Sequence, residues 1–246
     1  MRPLSADRIL QIWEIGQSQH PVHRALTLLA FACPDRTAKE LASLSIGQRD
    51  AYLLTLREMT FGSKLNAFAE CPQCGEQLEF TMNVADIRIV EPLEPQVQQY
   101  SLIAEGVELL FRLPNSSDLA TILEYQDVSA ANLQLIQRCL LEMSREGVAV
   151  DYSELPSGAI EQLASKMAEC DPQAEVLFDL NCPACSHSWQ VLFDIVTFFW
   201  KELSVEAKRL LREVHQLARF YGWREADILS MSAVRRQFYL DMVSDG

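Results

Sequence analysis

The sequence predicts an α+β fold, with small antiparallel, ribbon-like hairpins packed among N-terminal, central and C-terminal helices. Three observations predict it. Apolar residues recur at helical spacing through residues 1–64 and again through 201–246. Between these ends the pattern switches to period two, as in Leu78, Phe80, Met82 and Val84, which alternate with polar residues. Two Cys-Pro-x-Cys turns, Cys71 to Cys74 and Cys182 to Cys185, each interrupt an alternating segment. With 246 residues, 49% of them apolar, the chain can bury a sizeable core, and we treat 1–246 as a single domain.

Ser5 caps a first expected helix whose apolar side includes Ile9, Ile12, Trp13 and Gly16. Pro21 suits the first turn of a second, through Leu26, Leu29, Ala30 and Cys33. Ser45 with Gln48 forms a capping box for a third, carrying Tyr52, Leu53, Leu56 and Met59 and ended by Gly62. Glu76–Val84 is then a half-exposed strand, and the Pro- and Glu-rich residues 85–99 form an exposed loop. Tyr100–Ala104 and Val107–Leu113 flank the turn pair Glu105-Gly106, a second hairpin. Helices are expected after Ser117 and after Ser129, the latter running through Leu133, Ile136, Leu140 and Met143 to near Gly147. Pro156 opens another, ending near Cys170. A third hairpin pairs Glu175–Asn181 with Ser188–Ile195. Phe198, Phe199 and Trp200 precede a helix capped by Ser204, with Leu210, Leu211, Val214, Leu217 and Tyr221 on one face and Gly222 at its end. Short helical pieces follow around Ile228 and from Ser232 to Val243.

The net charge of -13 is unevenly spread. Residues 1–64 carry eight basic and six acidic side chains, 65–200 five and twenty-one, and 201–246 eight and seven. The acidic middle repels nucleic acid and anionic lipid and suits either solubility or a basic partner. No apolar run approaches the ~18 residues of a membrane span, and no apolar signal segment follows the N-terminal arginine. The expectation is a cytoplasmic protein with no membrane and no nucleic-acid partner.

In a reducing compartment, paired cysteines point to metal or catalysis rather than disulfides. The segments AFAECPQCGEQLEF and LFDLNCPACSHSWQV share one plan: strand, Cys-Pro-x-Cys, a small residue, polar residues, strand. These are zinc-knuckle hairpins. Two residues between cysteines let both thiolates face one metal while the turn's amides face the sulfurs. Zinc takes four ligands in a tetrahedron, so Cys71, Cys74, Cys182 and Cys185 are the candidate ligand set for one structural Zn, or for two sites each completed elsewhere. A thiol redox pair is the alternative, although that chemistry favours a helix N-terminus and both pairs lie between strands. A zinc-ribbon regulator that binds nucleic acid is a third reading, opposed by the charge. Cys33, Cys139 and Cys170 read as small buried apolar side chains.

No P-loop, dinucleotide-binding, zincin or nucleophile-elbow motif is present, and the four histidines have no adjacent acid–nucleophile set. Asp118 after Asn115-Ser116-Ser117 reads as the first turn of a helix capped by Ser116 or Ser117. No catalytic residues are expected, so the protein is not expected to be an enzyme.

Four stretches carry a resemblance. They are Leu53 to Gly62 leading into Cys71–Gly75; Phe111-Arg112-Leu113-Pro114 with Asp118-Leu119-Ala120; Cys182–Cys185 with Trp189 and Phe193-Asp194; and Leu210 to Ala218 with Tyr221-Gly222-Trp223, Ile228-Leu229, Arg235-Arg236 and Tyr239-Leu240. Together they resemble the T-even-type phage baseplate hub assembly chaperone family, the phage baseplate proteins of contractile tails and contractile injection systems. The resemblance implies a non-enzymatic role in tail assembly, as chaperone or resident component, with baseplate hub, spike or other tail proteins as partners. The zinc reading rests on this chain's own cysteines. Tyr221, Trp223, Arg235, Arg236, Phe238 and Tyr239 form a candidate partner-binding surface, because aromatics and arginine dominate interface hot spots.

Overall fold

The computed structural model describes residues 1–89 and 99–244. It is a mixed helix-and-sheet protein, and the described residues form three antiparallel sheets, ordered β1-β2, β3-β4-β5-β6 and β7-β8.

The first sixty residues are helical, as the periodicity predicts. Ser5 caps α1 (Ala6–Gly16), α2 (Pro21–Ala32) has Pro21 in its first turn, Thr37 caps the short α3 (Ala38–Ala42), and Ser45 caps α4 (Ile46–Phe61). β1 (Lys64–Glu70) and β2 (Gln77–Asn83) form the first cysteine hairpin. Of the loop expected over residues 85–99, the beginning belongs to a helical turn, α5 (Val84–Ile87), and residues 90–98 lie outside the described residues.

β3 (Tyr100–Ala104) and β4 (Val107–Phe111) pair as expected. α6 (Ser116–Ile122) is capped by Asn115, whose side chain accepts from the amides of Ser117 and Asp118, so neither Ser116 nor Ser117 is the cap. α7 (Val128–Cys139) is capped by Asp127 and stops earlier than the apolar spacing suggests. Leu140 and Met143 continue the helical spacing, yet they lie on β5 (Leu140–Arg145), which pairs with β4. The ladder hydrogen bonds of β4 would otherwise go unmade on that side, and tertiary pairing overrides the local period. Glu146 and Gly147 (φ 51° and 78°) then turn the chain into β6 (Val148–Ala149). Two successive positive φ values match the primed turn of a two-residue hairpin, where glycine removes the Cβ penalty.

α8 (Ser157–Cys170) precedes the second cysteine hairpin, β7 (Leu177–Asn181) and β8 (Ser188–Leu192). The Phe198-Phe199-Trp200 run is not a separate segment before a cap at Ser204. It lies within one 27-residue helix, α9 (Ile195–Tyr221), capped by Asp194 and closed by Gly222. Phe199, Leu203, Ala207, Leu210 and Leu217 are all fully buried along its length, and this continuous stripe explains the uninterrupted helix. α10 (Glu225–Ser230) and α11 (Ala233–Ser244) pack back on α9.

Two apolar cores result. The larger joins α1, α2, α4, α9, α10 and α11 with Leu65, Val84 and Ile87; the smaller joins β3, β4, α8 and Cys139 around the stacked pair Tyr100 and Phe111. A buried polar seam ties them. Asp171 accepts from the Ser45 hydroxyl (3.1 Å) and from the Gly47 amide (2.9 Å), and the Ile46 amide donates to the Pro114 carbonyl (3.1 Å). Gly47 leaves room for Asp171, because a Cβ there would sit 2.1 Å from its Oδ1.

Candidate metal centre

Each cysteine pair sits on the turn of a two-stranded hairpin. β1 and β2 are in register from Lys64↔Asn83 to Glu70↔Gln77, and β7 and β8 from Leu177↔Leu192 to Asn181↔Ser188. The two turns repeat one hydrogen-bond scheme. The Cys71 amide donates to the Glu76 carbonyl (2.9 Å) and the Gly75 amide to the Cys71 carbonyl (2.9 Å). Likewise the Cys182 amide donates to the His187 carbonyl (2.8 Å) and the Ser186 amide to the Cys182 carbonyl (2.9 Å). The residue after each second cysteine has positive φ, 74° at Gly75 and 59° at Ser186, which lets the chain double back so tightly.

The fold brings the two turns tip to tip. All four sulfurs lie within 4.8 Å of one another. Cys71 Sγ is 3.7 Å from Cys185 Sγ, and Cys74 Sγ is 3.6 Å from Cys182 Sγ, so the first cysteine of each turn meets the second of the other. Four thiolates at ~2.3 Å from a tetrahedral zinc would be ~3.8 Å apart, so this spacing fits such a set. It does not fit a disulfide, with sulfurs at ~2.05 Å, and every cysteine is unbridged. The four cysteines could hold a metal ion. Cys71 and Cys182 are buried, Cys185 is half-buried and Cys74 is exposed. Burial pushes the Cys182 thiol up, but the amides of Cys185 and Ala184 aimed at its sulfur, with the thiols of Cys74 and Cys185, bring it down to about 7. At Cys74 the Glu76 amide pulls down, but the crowd of neighbouring thiols prevails and pushes it up to about 12. Such a divergence is what four close sulfurs produce when one thiolate forms at the expense of the rest.

His187 lies outside this set and stacks on Trp189, centroids 5.9 Å apart. The dispersed cysteines are packed apart from it: Cys33 and Cys139 are buried and Cys170 is half-buried. Burial raises all three, Cys139 to about 12.

The C-terminal residues divide. Tyr221, Trp223 and Tyr239 form one aromatic cluster, with Tyr221 stacked on Trp223 at 4.4 Å and Tyr239 edge-on to Trp223 at 4.8 Å. Phe238 is 60% exposed beside it, and Arg235 lies over the Tyr239 ring at 5.8 Å. Arg236 differs. It is buried, its Nε donates to Glu213 (2.9 Å) and its Nη1 to the Met231 carbonyl (2.6 Å), so its guanidinium holds α11 on α9.

Asp118 is more than a first-turn residue. It is buried, takes two hydrogen bonds from Arg112 (2.5 and 2.9 Å) and one from Arg138 (3.0 Å). Burial alone would raise its pKa, but the Arg112 guanidinium, the Asn115 amide and Arg138 hold it below the usual range. Spacing could not reveal this, since Arg138 is on another helix.

A family model described as T4 bacteriophage base plate protein matches residues 8–200. The matched span holds both cysteine pairs and ends inside α9, so the stretch from Leu210 to Leu240 lies beyond it. No curated protein matches the chain, and no solved structure matches it.

Proposed function

The chain belongs to the T4 bacteriophage base plate protein family, and from that premise we propose that it is a non-enzymatic assembly chaperone of the baseplate hub, or a resident baseplate component, in a phage-tail-like contractile machine. Its partners are hub, spike or other tail proteins. Cys71, Cys74, Cys182 and Cys185 hold one structural zinc. The observation that supports the metal is the meeting of four sulfurs from hairpins far apart in sequence, all within 4.8 Å of one another, with two pairs across the hairpins at 3.6 and 3.7 Å. Zinc closed by four thiolates has no open position for water or substrate, so the ion supplies folding energy rather than chemistry. No helix among the described residues is long and apolar enough to cross a membrane.

Elemental analysis of purified protein should find about one zinc per chain, and chelation should lower the melting temperature. A metal-free protein as stable as the native one would remove the structural-zinc reading. Tested separately, purified hub, spike and baseplate proteins should include at least one that binds; binding by none would remove the assembly role.

A thiol oxidoreductase has one observation in its favour, the Cys182 thiol drawn down to about 7. That sulfur is buried among three others. Turnover of a disulfide substrate by the metal-bound protein would establish this reading, and inert thiols would end it.

A further inference from the structure

The facing sides of the two cysteine hairpins do not close on one another. Phe80 and Met82 of the first and Phe178, Leu180 and Val191 of the second point toward the gap, and every one is only half-buried. A ribbon sandwich of this size would bury such residues. Instead a cleft of about 240 Å³ runs between the hairpins, floored by Phe193 and Phe198. Phe68 stands at its rim, 57% exposed. Phe68 and Lys64 lie on the other face of the first hairpin from Phe80 and Met82, so past Phe68 and Phe198 the surface turns round the edge of β1 and continues along α9 to Val205, 71% exposed. Lone exposed apolar residues are ordinary, whereas a continuous aromatic-lined groove marks an interaction site.

The charges at its mouth say what kind of segment fits. Lys64 and Lys201 both line this second stretch, and neither side chain has a hydrogen-bond or ion-pair partner among the described residues. The other charges are already engaged: Arg57 is held by Glu202, Glu206 holds Arg209, and Asp194 caps α9. In a chain of net charge -13, the unpaired charge here is positive. A second copy packed two-fold on this surface would set the same two lysines against each other, and anionic lipid would meet the acidic remainder of the chain.

We propose that this cleft, from the gap between the hairpins to Val205, seats an extended apolar segment of a tail protein that carries a carboxylate opposite Lys64 and Lys201. The proposal rests on the baseplate reading above and adds the surface and the chemistry of the partner. Each cysteine hairpin is a two-stranded sheet, so among the described residues each of its strands has one edge unpaired in the ladder, open to such a segment, and alternate apolar side chains would fill the cleft.

The test uses full-length chain and purified hub, spike and baseplate proteins, one at a time, with affinities measured at low and high salt. Phe68→Asp and the double change Lys64→Glu with Lys201→Glu alter exposed side chains only, and zinc content and melting temperature should match the parent. Each should weaken binding at least about fivefold, the effect of a true anchor residue. An acid-to-lysine change in the bound segment should restore affinity for the double variant. Should Phe68→Asp misfold, Val205→Asp reads the same surface. A partner that binds the parent and loses less than about fivefold with these variants overturns the cleft and leaves the assembly role standing. Binding by no tail protein overturns both. A dimer of the chain that Phe68→Asp turns into monomers assigns the cleft to a second copy and overturns the proposal.

Discussion

Replacing Gly47 with alanine isolates the joint between the two cores. Gly47 lies in the first turn of α4, and its amide and the Ser45 hydroxyl both donate to Asp171. A Cβ on Gly47 would sit 2.1 Å from Asp171 Oδ1, 2.8 Å from its Cγ and 3.0 Å from the Ala174 backbone nitrogen. The carboxylate must swing away, and backbone blocks the opposite retreat. Hydrogen bonds to a charged group contribute about 1.5–3 kcal/mol each, and a carboxylate at a helix N-terminus adds about 0.3–1 kcal/mol. Alanine's better helix propensity returns at most about 1 kcal/mol. The expected net loss is about 3 kcal/mol, roughly 6–12 °C in melting temperature for a chain of this size. Urea unfolding followed by tryptophan fluorescence measures it. The double variant Gly47→Ala with Asp171→Ala should be little worse than Asp171→Ala alone, because the clash partner is gone. A single variant within about 0.5 kcal/mol of the parent, or additive losses in the cycle, would refute the close approach.

Asp118→Ala strands Arg112 and Arg138 beside a buried gap and should cost about 2–3 kcal/mol, below the fully buried case because both guanidiniums reach water; an unchanged urea midpoint would contradict it. Acid titration should show two opposing slopes. Asp118 sits below its usual range, so its contribution is lost as pH falls. Burial raises Asp50 to about 6, against the pull of Arg49, so the folded state holds that proton more tightly than the unfolded chain. Its effect therefore runs the other way: stability contributed by Asp50 is present below about 4 and lost as pH rises toward 6, about 3 kcal/mol in all. Asp50→Asn should flatten that part of the profile, and an unaltered pH dependence of the urea midpoint would exclude Asp50 as its source.

Local signals in the sequence were enough for the parts set by local chemistry. Ser5, Pro21, Gly62 and Gly222 mark helix ends because capping and backbone constraints act within one turn. The cysteine centre was legible because both turns carry the same spacing and each hairpin alternates around it. Leu140 and Met143 have a spacing that suits a helix, while β4 supplies the ladder that makes them a strand. Ser204 resembles a cap in sequence because the aromatic run before it masks the helical stripe from Ile195 to Leu217. The Asp171 seam joins residues more than a hundred apart, and nothing near Ser45 or Gly47 announces the partner. Arg236 illustrates the same limit: an arginine beside aromatics looks like an interface residue until Glu213 is found opposite it.

The hairpins themselves explain why a metal would be placed at their tips. A two-stranded hairpin is at best marginally stable alone, and the strands of these two make at most slight contact with one another among the described residues. Their roots are firm. β1 leaves α4 just past Gly62, and β8 runs into α9 through Asp194. At that base Arg57 of α4 grips Glu202 of α9 with two hydrogen bonds (2.9 and 2.6 Å) and its Nη1 donates to the Gly62 carbonyl (2.6 Å). The base is therefore fixed by the helical core, while among the described residues the tips meet through the four sulfurs. If the four cysteines hold a metal, its loss should free the tips first, lowering the melting temperature while the helices stay folded at room temperature, so the change expected there on chelation is faster amide exchange in residues 64–83 and 177–192 with α4 and α9 protected. The width of the cleft between the hairpins, and with it the fit of anything seated there, would then be set by the cysteine centre. Protection that stays unchanged across both hairpins on chelation would break this link between the clasp and the cleft.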